Sequence, residues 1–334
     1  MTTRPLGNTG LQFTTIGIGT WAIGGGDWSY GWGDQDAREG IAGIRRGVEL
    51  GVNWIDTAAI YGDGASEELV GKALAEIPAT DRPMVATKCG RIMRDDGTVF
   101  GRLKKESVVA ECEASLRRLG VDRIDLYQIH WPDPDADIEE GWTAMAGLKE
   151  AGKVREIGVS NHDVAQMKRL EAIHPPASLQ PPYSMINREV EDEALPFCGA
   201  RGIGVICYSP MGKGLLTGGF TKERAAALAG NDHRSRDPKF QSPQLEINLA
   251  LVDAIRPVAD AHRRPLAQLS LAWVLRRPEV TGAIVGVRNA QQIEQTAGAA
   301  GWELSSDEIA TIDAALRDRE TRLAELGDAA QGRV

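Results

Sequence analysis

Three polar residues of acid–base type each end a short apolar run, and a tyrosine lies close to the first of them. Asp56, Lys88 and His130 end these runs, and Tyr61 follows five residues after Asp56. A free phenol has a pKa of about 10, so unaided it is a poor proton donor at neutral pH. A nearby ammonium lowers that pKa, because an opposite charge favours the phenolate. We therefore expect Lys88, held by Asp56, to lower the pKa of Tyr61.

These side chains suit the reduction of a carbonyl group. Tyr61 would donate a proton to the carbonyl oxygen while hydride reaches the carbon, and His130 would orient the substrate by a hydrogen bond. General acid help of this kind is worth about 10²–10⁴-fold in rate. The hydride must come from a cofactor, because no side chain supplies one. Each residue type taken singly is commonly structural, and it is their occurrence together at successive strand ends that indicates catalysis.

Eight short apolar stretches alternate with longer segments of helical period, which is the pattern of βαβ units. The predicted strands are 15–19, 53–56, 84–88, 124–129, 156–160, 178–180, 204–207 and 282–285. The predicted helices are 36–50, 66–74, 106–119, 138–151, 163–172, 192–200, 244–261 and 290–300. This alternation predicts an α/β fold, a closed (β/α)₈ TIM barrel, with a doubly wound sheet as the alternative. In a barrel, functional side chains gather at the carboxyl ends of the strands.

Two segments fall outside this repeat. An N-terminal β-hairpin is expected over about residues 4–13, and the long stretch 213–243 is expected to cap the site or to move. We interpret residues 1–334 as a single barrel domain with long loops on its C-terminal face and a C-terminal extension over about 303–334.

The composition restricts the classes of partner that this protein is expected to bind. A formal charge of −9 disfavours nucleic acid, and neither a secretory signal nor an apolar run of membrane-spanning length occurs. The four cysteines form no C-x-x-C pair, and the cysteine and histidine spacings offer no zinc ligand set. We expect a cytoplasmic protein with reduced thiols, no metal and a small-molecule partner. Its oligomeric state is not predicted.

Several motifs resemble those of the aldo-keto reductase superfamily, over nearly the whole chain from Leu6 to about Leu316. They are Gly51–Ala58 (GVNWIDTA) with Tyr61-Gly62, Ala86-Thr87-Lys88, Asp125–Pro132 (DLYQIHWP), Gly152–Asn161 (GKVREIGVSN) and Tyr208–Gly214 (YSPMGKG). The stretch Gly19–Gly25 is similar to a bacterial branch that includes inositol-related and general stress reductases. The resemblance implies a (β/α)₈ barrel, NADPH as the usual cofactor, and a catalytic tetrad of Asp56, Tyr61, Lys88 and His130.

The same resemblance implies the cofactor contacts. They are Gly19, Thr20, Trp21, Asp56, Ser160, Asn161, Gln180, Tyr208, Ser209, Pro210, Met211, Gly212, Lys213, Gly214, Gly286, Val287, Arg288, Gln292, Gln295 and Thr296. Arg288, expected where Gly286-Val287-Arg288 begins a helix, suits the adenosine 2′-phosphate and favours NADPH. Thr296 stands where many relatives have Asn, and Gln292 and Gln295 occupy positions that are often charged, so NADH stays possible.

Aromatic residues are expected around the substrate. Trp21 follows the first strand and Trp131 follows His130, and aromatic walls suit a flat or cyclic apolar face such as that of a sugar or polyol. Trp28, Tyr30 and Trp32, in the loop from Asp27 to Gly33, either join this wall or only pack their loop. The candidate substrate residues are Trp21, Trp28, Tyr30, Trp32, Tyr61, His130 and Trp131.

Three other functions compete with carbonyl reduction as interpretations of this sequence. A Rossmann dehydrogenase is disfavoured, because the glycines after the first strand run into Gly24-Gly25-Gly26 and a Trp/Gly loop that cannot sustain a helix. A nicotinamide-binding sensor or regulatory subunit with little turnover stays open. So does an alcohol or polyol dehydrogenase, since the same site runs in the oxidative direction.

Overall fold

Eight parallel strands of the chain form a closed barrel. The computed structural model describes residues 1–25, 28 and 30–331. Its strands are β1 (Thr3–Pro5), β2 (Gln12–Thr14), β3 (Ile16–Gly19), β4 (Trp54–Asp56), β5 (Met84–Cys89), β6 (Arg91–Met93), β7 (Val99–Gly101), β8 (Ile124–Ile129), β9 (Val154–Ser160), β10 (Ser178–Gln180), β11 (Gly204–Cys207) and β12 (Val280–Gly286). In the barrel β3, β4, β5, β8, β9, β10, β11 and β12 pair in that order, and β12 closes on β3. The predicted (β/α)₈ TIM barrel is confirmed.

Helices surround this barrel. They are α1 (Ala37–Glu49), α2 (Ala65–Ala75), α3 (Lys105–Leu119), α4 (Ile138–Glu150), α5 (Val164–Glu171), α6 (Ala194–Arg201), α7 (Lys222–Ala226), α8 (Gln244–Ala261), α9 (Leu266–Leu275), α10 (Ala290–Ala297) and α11 (Ser306–Gln331). Local signals set several ends: Asp163 and Gln166 form a capping box at the start of α5, and Gly120 ends α3 with φ 65°.

The helix α9 was not predicted. It is buried on nearly all sides, and every residue from Leu266 to Leu275 except Gln268 is buried. An evenly apolar helix has no 3.6-residue alternation of apolar and polar positions, so its sequence carries no amphipathic signal.

The N-terminal end of the barrel is plugged by side chains. The predicted hairpin is present as β1 paired with β2, and it brings Phe13 onto Trp54 with ring centroids 4.8 Å apart. The indole nitrogen of Trp54 donates to the carbonyl oxygen of Thr14 at 2.8 Å. Gly17 makes room for this ring, because a Cβ at that position would lie 2.2 Å from its atoms. This end is therefore packed, and the chemistry belongs to the opposite face.

Two excursions cover the C-terminal face. One is the antiparallel hairpin β6–β7, which directly follows β5. The other is the stretch 213–243, predicted as a cap, which consists of α7 and several 3₁₀ turns and touches the loop after β3 through a bridge between Trp32 and Asp232. Asp27 and Ser29 of the predicted aromatic loop, and residues 332–334 of the C-terminal extension, lie outside the described residues.

All four cysteines are buried free thiols: Cys89, Cys112, Cys198 and Cys207. Within the ranges that the structure describes, no helix has both the length and the apolar character needed to cross a membrane.

Candidate active site

An ion pair inside the barrel forms the base of the site. Lys88 Nζ donates to Asp56 Oδ1 at 2.9 Å and Oδ2 at 2.8 Å, and to the Thr57 carbonyl oxygen at 2.9 Å. Both side chains are almost fully buried, at the ends of the adjacent strands β5 and β4. Burial lowers the pKa of Lys88 and raises that of Asp56, while each charge offsets the other's shift. The ammonium is thus held at one fixed point, with its donors directed at three oxygens.

Tyr61 lies above this pair. Its Oη is 3.4 Å from Lys88 Nζ, and its side chain lines a large cavity. The expectation that Tyr61 has a lowered pKa is wrong in this structure. Burial, and after it the negative charge of Asp56, raise that pKa well above its ordinary value. The phenol is therefore neutral and keeps its proton, and its oxygen accepts a hydrogen bond from Lys88 Nζ.

His130, at the end of β8, completes the predicted tetrad. Its ring meets that of Tyr61 edge-on, with centroids 5.7 Å apart and an interplanar angle of 79°. Burial and the charges of Lys88 and Arg91 lower its pKa well below the ordinary value, so the imidazole is neutral at pH 7. Its Nδ1 is buried and has no hydrogen-bond partner among the described residues. A neutral imidazole beside the phenol can donate to or accept from a substrate oxygen.

Strands β9, β10 and β11 add an amide cluster next to the carboxylate. Gln180 Nε2 donates to Asp56 Oδ1 at 2.7 Å. The carbonyl oxygen of Gln180 accepts from Ser160 Oγ at 2.8 Å and from the Asn161 backbone N–H at 3.1 Å. Tyr208 Oη donates to Asn161 Oδ1 at 2.9 Å. Asn161 has φ 61°, a left-handed conformation that is uncommon for non-glycine residues, less so for Asn, and that recurs at active sites.

A cavity of 780 Å³ runs across this face from the tetrad to α10. It is lined by the predicted residues Gly19, Trp21, Trp28, Tyr30, Trp32, Asp56, Tyr61, His130, Trp131, Ser160, Asn161, Gln180, Tyr208, Ser209, Pro210, Met211, Lys213, Gly214, Gly286, Arg288, Gln292, Gln295 and Thr296. Four predicted site residues do not line it: Thr20, Lys88, Gly212 and Val287.

Those four lie beneath the surface of the cavity. Lys88 reaches it only through Tyr61 and Asp56. Thr20 is buried, and both its backbone N–H and its Oγ1 donate to the Asp56 carbonyl oxygen at 3.0 Å. Gly212 has φ 57° and faces Ile186, and Val287 is buried in the core. Thus Thr20, Gly212 and Val287, which were expected to contact a cofactor, do not line the cavity, and neither does Lys88, which was expected to be catalytic.

The far end of the cavity fits a dinucleotide. Ser209 and Lys213 have φ values of 53° and 56°, and Gly214 has 95°, so the backbone after β11 turns tightly against the cavity. Such a turn exposes peptide N–H groups, which bind phosphate oxygens. A Cβ at Gly286 would meet nothing within 4 Å, so a ligand can approach the end of β12 closely. Lys213 and Arg234, which form ion pairs with Asp237 and Asp232, add positive charge.

Arg288 also borders this end of the cavity. It lies in the turn before α10 and not within a helix, because α10 begins at Ala290 with Asn289 as its N-cap. Its guanidinium donates to Gln35 Oε1 at 2.6 Å, to the Trp32 carbonyl oxygen at 3.3 Å and to that of Asp34. This leaves two of its five N–H groups without a partner among the described residues.

Aromatic rings form the wall near Tyr61. Trp21 stacks on Tyr61 with centroids 6.2 Å apart and on His233 at 4.8 Å, and Trp28 is tilted against Tyr61 at 6.3 Å. Trp32 packs edge-on against Trp21 at 5.2 Å. The rings of this loop therefore both pack together and line the cavity. Trp131 and Tyr30 are half exposed at the rim.

Several lining residues were not predicted: Ala22, Ile60, Arg91, Val99, Thr217, Gly219, Arg224, Arg234, Pro265, Ala267 and Ile284. Arg91 and Val99 belong to the unpredicted hairpin β6–β7, so no strand-end argument could place them. Arg224 and Arg234 belong to the stretch 213–243, which was predicted only as a cap. The sequence shows that this stretch contains several Lys and Arg residues, but not which of them line the cavity.

Comparison with known proteins identifies the family. The profile described as "Aldo/keto reductase family" matches residues 15–317. The chain belongs to the aldo/keto reductase family. It is accordingly an NAD(P)H-dependent oxidoreductase, and the predicted resemblance is confirmed.

Individual relatives cover almost the full chain. The aldo-keto reductase YhdN of Bacillus subtilis is 38% identical over 94% of this chain and 93% of its own length. The NADH-specific methylglyoxal reductase of Escherichia coli is 34% identical, covering 92% and 96%. Among solved structures, the glycerol dehydrogenase AKR11B4 from Gluconobacter oxydans superposes with a TM-score of 0.86 at 36% identity, covering 95% of each chain. The aldo-keto reductase AKR11C1 from Bacillus halodurans gives a TM-score of 0.77 at 25% identity, covering 94% and 96%.

Proposed function

We propose that this protein reduces an aldehyde or ketone to the alcohol with NADPH, and that Tyr61 is the proton donor. The observation that carries the proposal is a neutral phenol facing the cavity, 3.4 Å from an ammonium that Asp56 holds in place. A neutral phenol is the form that has a proton to give. A fixed positive charge beside it stabilises the phenolate that remains.

The residues of the chain divide the reaction between them. Tyr61 Oη transfers its proton to the carbonyl oxygen as negative charge develops there, and His130 orients that oxygen by a hydrogen bond. The phenolate left on Tyr61 is stabilised by Lys88 until it regains a proton from solvent. When bound, reduced nicotinamide supplies the hydride that adds to the carbonyl carbon. Atoms and charge then balance, with the alcohol and the oxidised cofactor as products.

The amide cluster supports the nicotinamide end of this arrangement. Ser160, Asn161 and Gln180 present polar groups beside Asp56, and Tyr208 supplies a ring on which a nicotinamide would stack. Donors and acceptors of this kind are what a carboxamide requires. The ring of Tyr208 would then determine which face of the nicotinamide points toward Tyr61.

Arg288 supports the preference for NADPH over NADH. Its two N–H groups without a described partner suit the adenosine 2′-phosphate, and a guanidinium binds phosphate strongly. Its three other donors hold it against residues 32–35, so it is already fixed in place. Because a relative from Escherichia coli is named NADH-specific, the preference of this protein for NADPH needs a direct test.

Alcohol oxidation is the second candidate, favoured by the similarity to a glycerol dehydrogenase. The same residues serve both directions, because a phenolate on Tyr61 accepts from the alcohol the proton that the phenol gives to the carbonyl. Equilibrium and the supply of cofactor decide between the two directions, and the site geometry is common to both.

The first test follows the absorbance of reduced nicotinamide while simple aldehydes and ketones are added. We expect turnover by the wild-type protein, and a Tyr61→Phe variant whose kcat falls by about 10²–10⁴-fold, since the general acid is removed. NADPH binding, measured by quenching of tryptophan fluorescence, should stay within a few-fold of the wild-type value. Near-wild-type kcat in Tyr61→Phe would refute the assignment of the proton donor. Binding of NADPH without turnover of any carbonyl would favour the sensor alternative.

A further inference from the structure

The hairpin β6–β7 places a cation at the catalytic end of the cavity, and the proposed chemistry does not use it. Arg91, the first residue of β6, lines the same cavity as Tyr61 and His130. Its guanidinium carbon lies 5.6 Å from the centre of the Trp131 ring. Val99, on the other strand of the hairpin, lines the cavity as well and packs with the aromatic wall. The hairpin is thus one side of the site.

The guanidinium of Arg91 is fixed by a carboxylate. One of its nitrogens donates to Asp133 Oδ2 at 2.7 Å. Gly101, which is paired with Arg91 across the hairpin, leaves the space that Asp133 occupies. A Cβ at position 101 would lie 2.2 Å from the Asp133 carbonyl oxygen and 2.5 Å from Oδ2. The contact therefore depends on both strands of the hairpin and on the absence of a side chain at Gly101.

This pair presents both kinds of hydrogen-bonding group. The side chain of Arg91 is 21% exposed and that of Asp133 is 54% exposed, so each keeps atoms accessible after pairing. A guanidinium has only donors, and an ionised carboxylate has only acceptors. Of the two, only Arg91 lines the cavity, so a substrate hydroxyl can accept from its guanidinium, while Asp133 offsets the positive charge there. A carboxylate on the substrate can only accept, and it would also lie beside the charge of Asp133.

We propose that Arg91, fixed by Asp133, determines substrate specificity by binding an uncharged hydroxyl group on a carbon near the reacting carbonyl. The inference rests on the proposed carbonyl reduction and assigns its substrate class: small hydroxylated aldehydes and ketones. Trp131 and Trp21 complete this subsite, because their rings would cover the C–H face of a hydroxylated chain while one of its hydroxyl groups binds Arg91.

The test compares aldehydes that share a carbon skeleton. kcat/KM is measured with NADPH for propanal and glyceraldehyde, and for butanal and succinic semialdehyde, in the wild type and in Arg91→Met. Within each pair the ratio of kcat/KM values is taken on one protein preparation, so that any loss of folded protein cancels. The control is Arg94→Met, which removes the same charge from the same hairpin. Arg94 is exposed, stacks on Phe100 at 4.3 Å and does not line the cavity.

We expect Arg91→Met to lower the glyceraldehyde-to-propanal ratio by about tenfold, the size of one hydrogen bond to a charged group. The succinic semialdehyde-to-butanal ratio should fall by less, and Arg94→Met should keep both wild-type ratios. An unchanged glyceraldehyde ratio in Arg91→Met overturns the proposal, with propanal turnover showing that carbonyl reduction itself stands. A larger loss for the carboxylate pair overturns the assignment to an uncharged group. If the wild type reduces none of the four aldehydes, both the proposed function and this inference fail.

Discussion

The protonation of Lys88 depends on the neighbouring charge of Asp56, because burial alone would favour the neutral amine. Its ammonium donates to both carboxylate oxygens of Asp56, to the Thr57 carbonyl oxygen and to Tyr61 Oη, and burial lowers its pKa. In Asp56→Asn the compensating charge is gone, so the pKa of Lys88 falls further and its neutral form is populated at lower pH. We expect kcat to drop by about 10²-fold at pH 8. Part of it should return as the pH is lowered, because protonation of Lys88 restores the charge beside Tyr61.

A pH series of kcat from 5.5 to 8.5 for this variant, beside the wild type, checks the prediction. A residual rate in Asp56→Asn with the same pH dependence as the wild type would show that Asp56 does not control the charge of Lys88.

Arg288 allows cofactor preference to be tested at one residue. In Arg288→Ala we expect the Kd for NADPH to rise about 10–100-fold, because hydrogen bonds from a charged group to the 2′-phosphate are lost. The Kd for NADH should change little. Arg45→Ala, which removes a guanidinium from an exposed pair with Glu76, is the matched control. Fluorescence titration with both cofactors measures the effect. An equal rise for both would mean that Arg288 acts only by holding the loop at residues 32–34.

At the scale of elements, the base of the hairpin β6–β7 depends on a carboxyl group with an unusual pKa. Glu111 on α3 accepts the Gly90 backbone N–H at 2.9 Å, and burial raises its pKa to about 7. In the unfolded chain the carboxyl titrates near 4.5. The folded state thus binds the extra proton, and its stability falls as pH rises from about 4.5 to 7 and then levels off.

Glu111→Gln keeps an acceptor for Gly90 and removes this titration. We expect the variant to gain stability relative to the wild type between pH 5 and pH 8, by up to about 3 kcal/mol. Urea unfolding of both proteins at the two pH values gives the difference. A difference that does not vary with pH would show that Glu111 titrates normally.

Some elements of the fold and of the site can be predicted from the sequence, and others cannot. The eight barrel strands and the tetrad followed from apolar runs that end in polar residues, because the barrel repeat places every strand end on one face. The hairpin β6–β7 is an insertion into that repeat. Its strands have only three residues and show no alternation of apolar and polar positions, so Arg91 could not be predicted as a site residue. The raised pKa of Tyr61 was missed for another reason. The sequence predicts that Lys88 lies near Tyr61, but only the packed structure shows that the phenol is buried and lies near the charge of Asp56.

For the whole molecule, the N-terminal plug makes the barrel sensitive to a single methyl group. A Cβ at Gly17 would lie 2.2 Å from the six-membered ring of Trp54. We expect Gly17→Ala to lower the free energy of unfolding by about 1–3 kcal/mol through overpacking. The loss should be smaller when Trp54→Phe, which removes those ring atoms, is already present. A double-mutant cycle by urea unfolding measures this coupling. Equal losses in both backgrounds would contradict the proposed clash.

The placement of the cysteines has a consequence if the protein reduces carbonyl compounds as proposed. Cys89, Cys112, Cys198 and Cys207 are all buried, and none of them lines the cavity. Burial raises the thiol pKa of Cys112 and Cys198 to about 12, so the thiolate, which is the form that electrophiles alkylate, is scarce at neutral pH. No cysteine thiol therefore faces a compound bound next to Tyr61. Under the proposed function, an electrophilic carbonyl compound would reach Tyr61 without contacting a thiol of the folded protein.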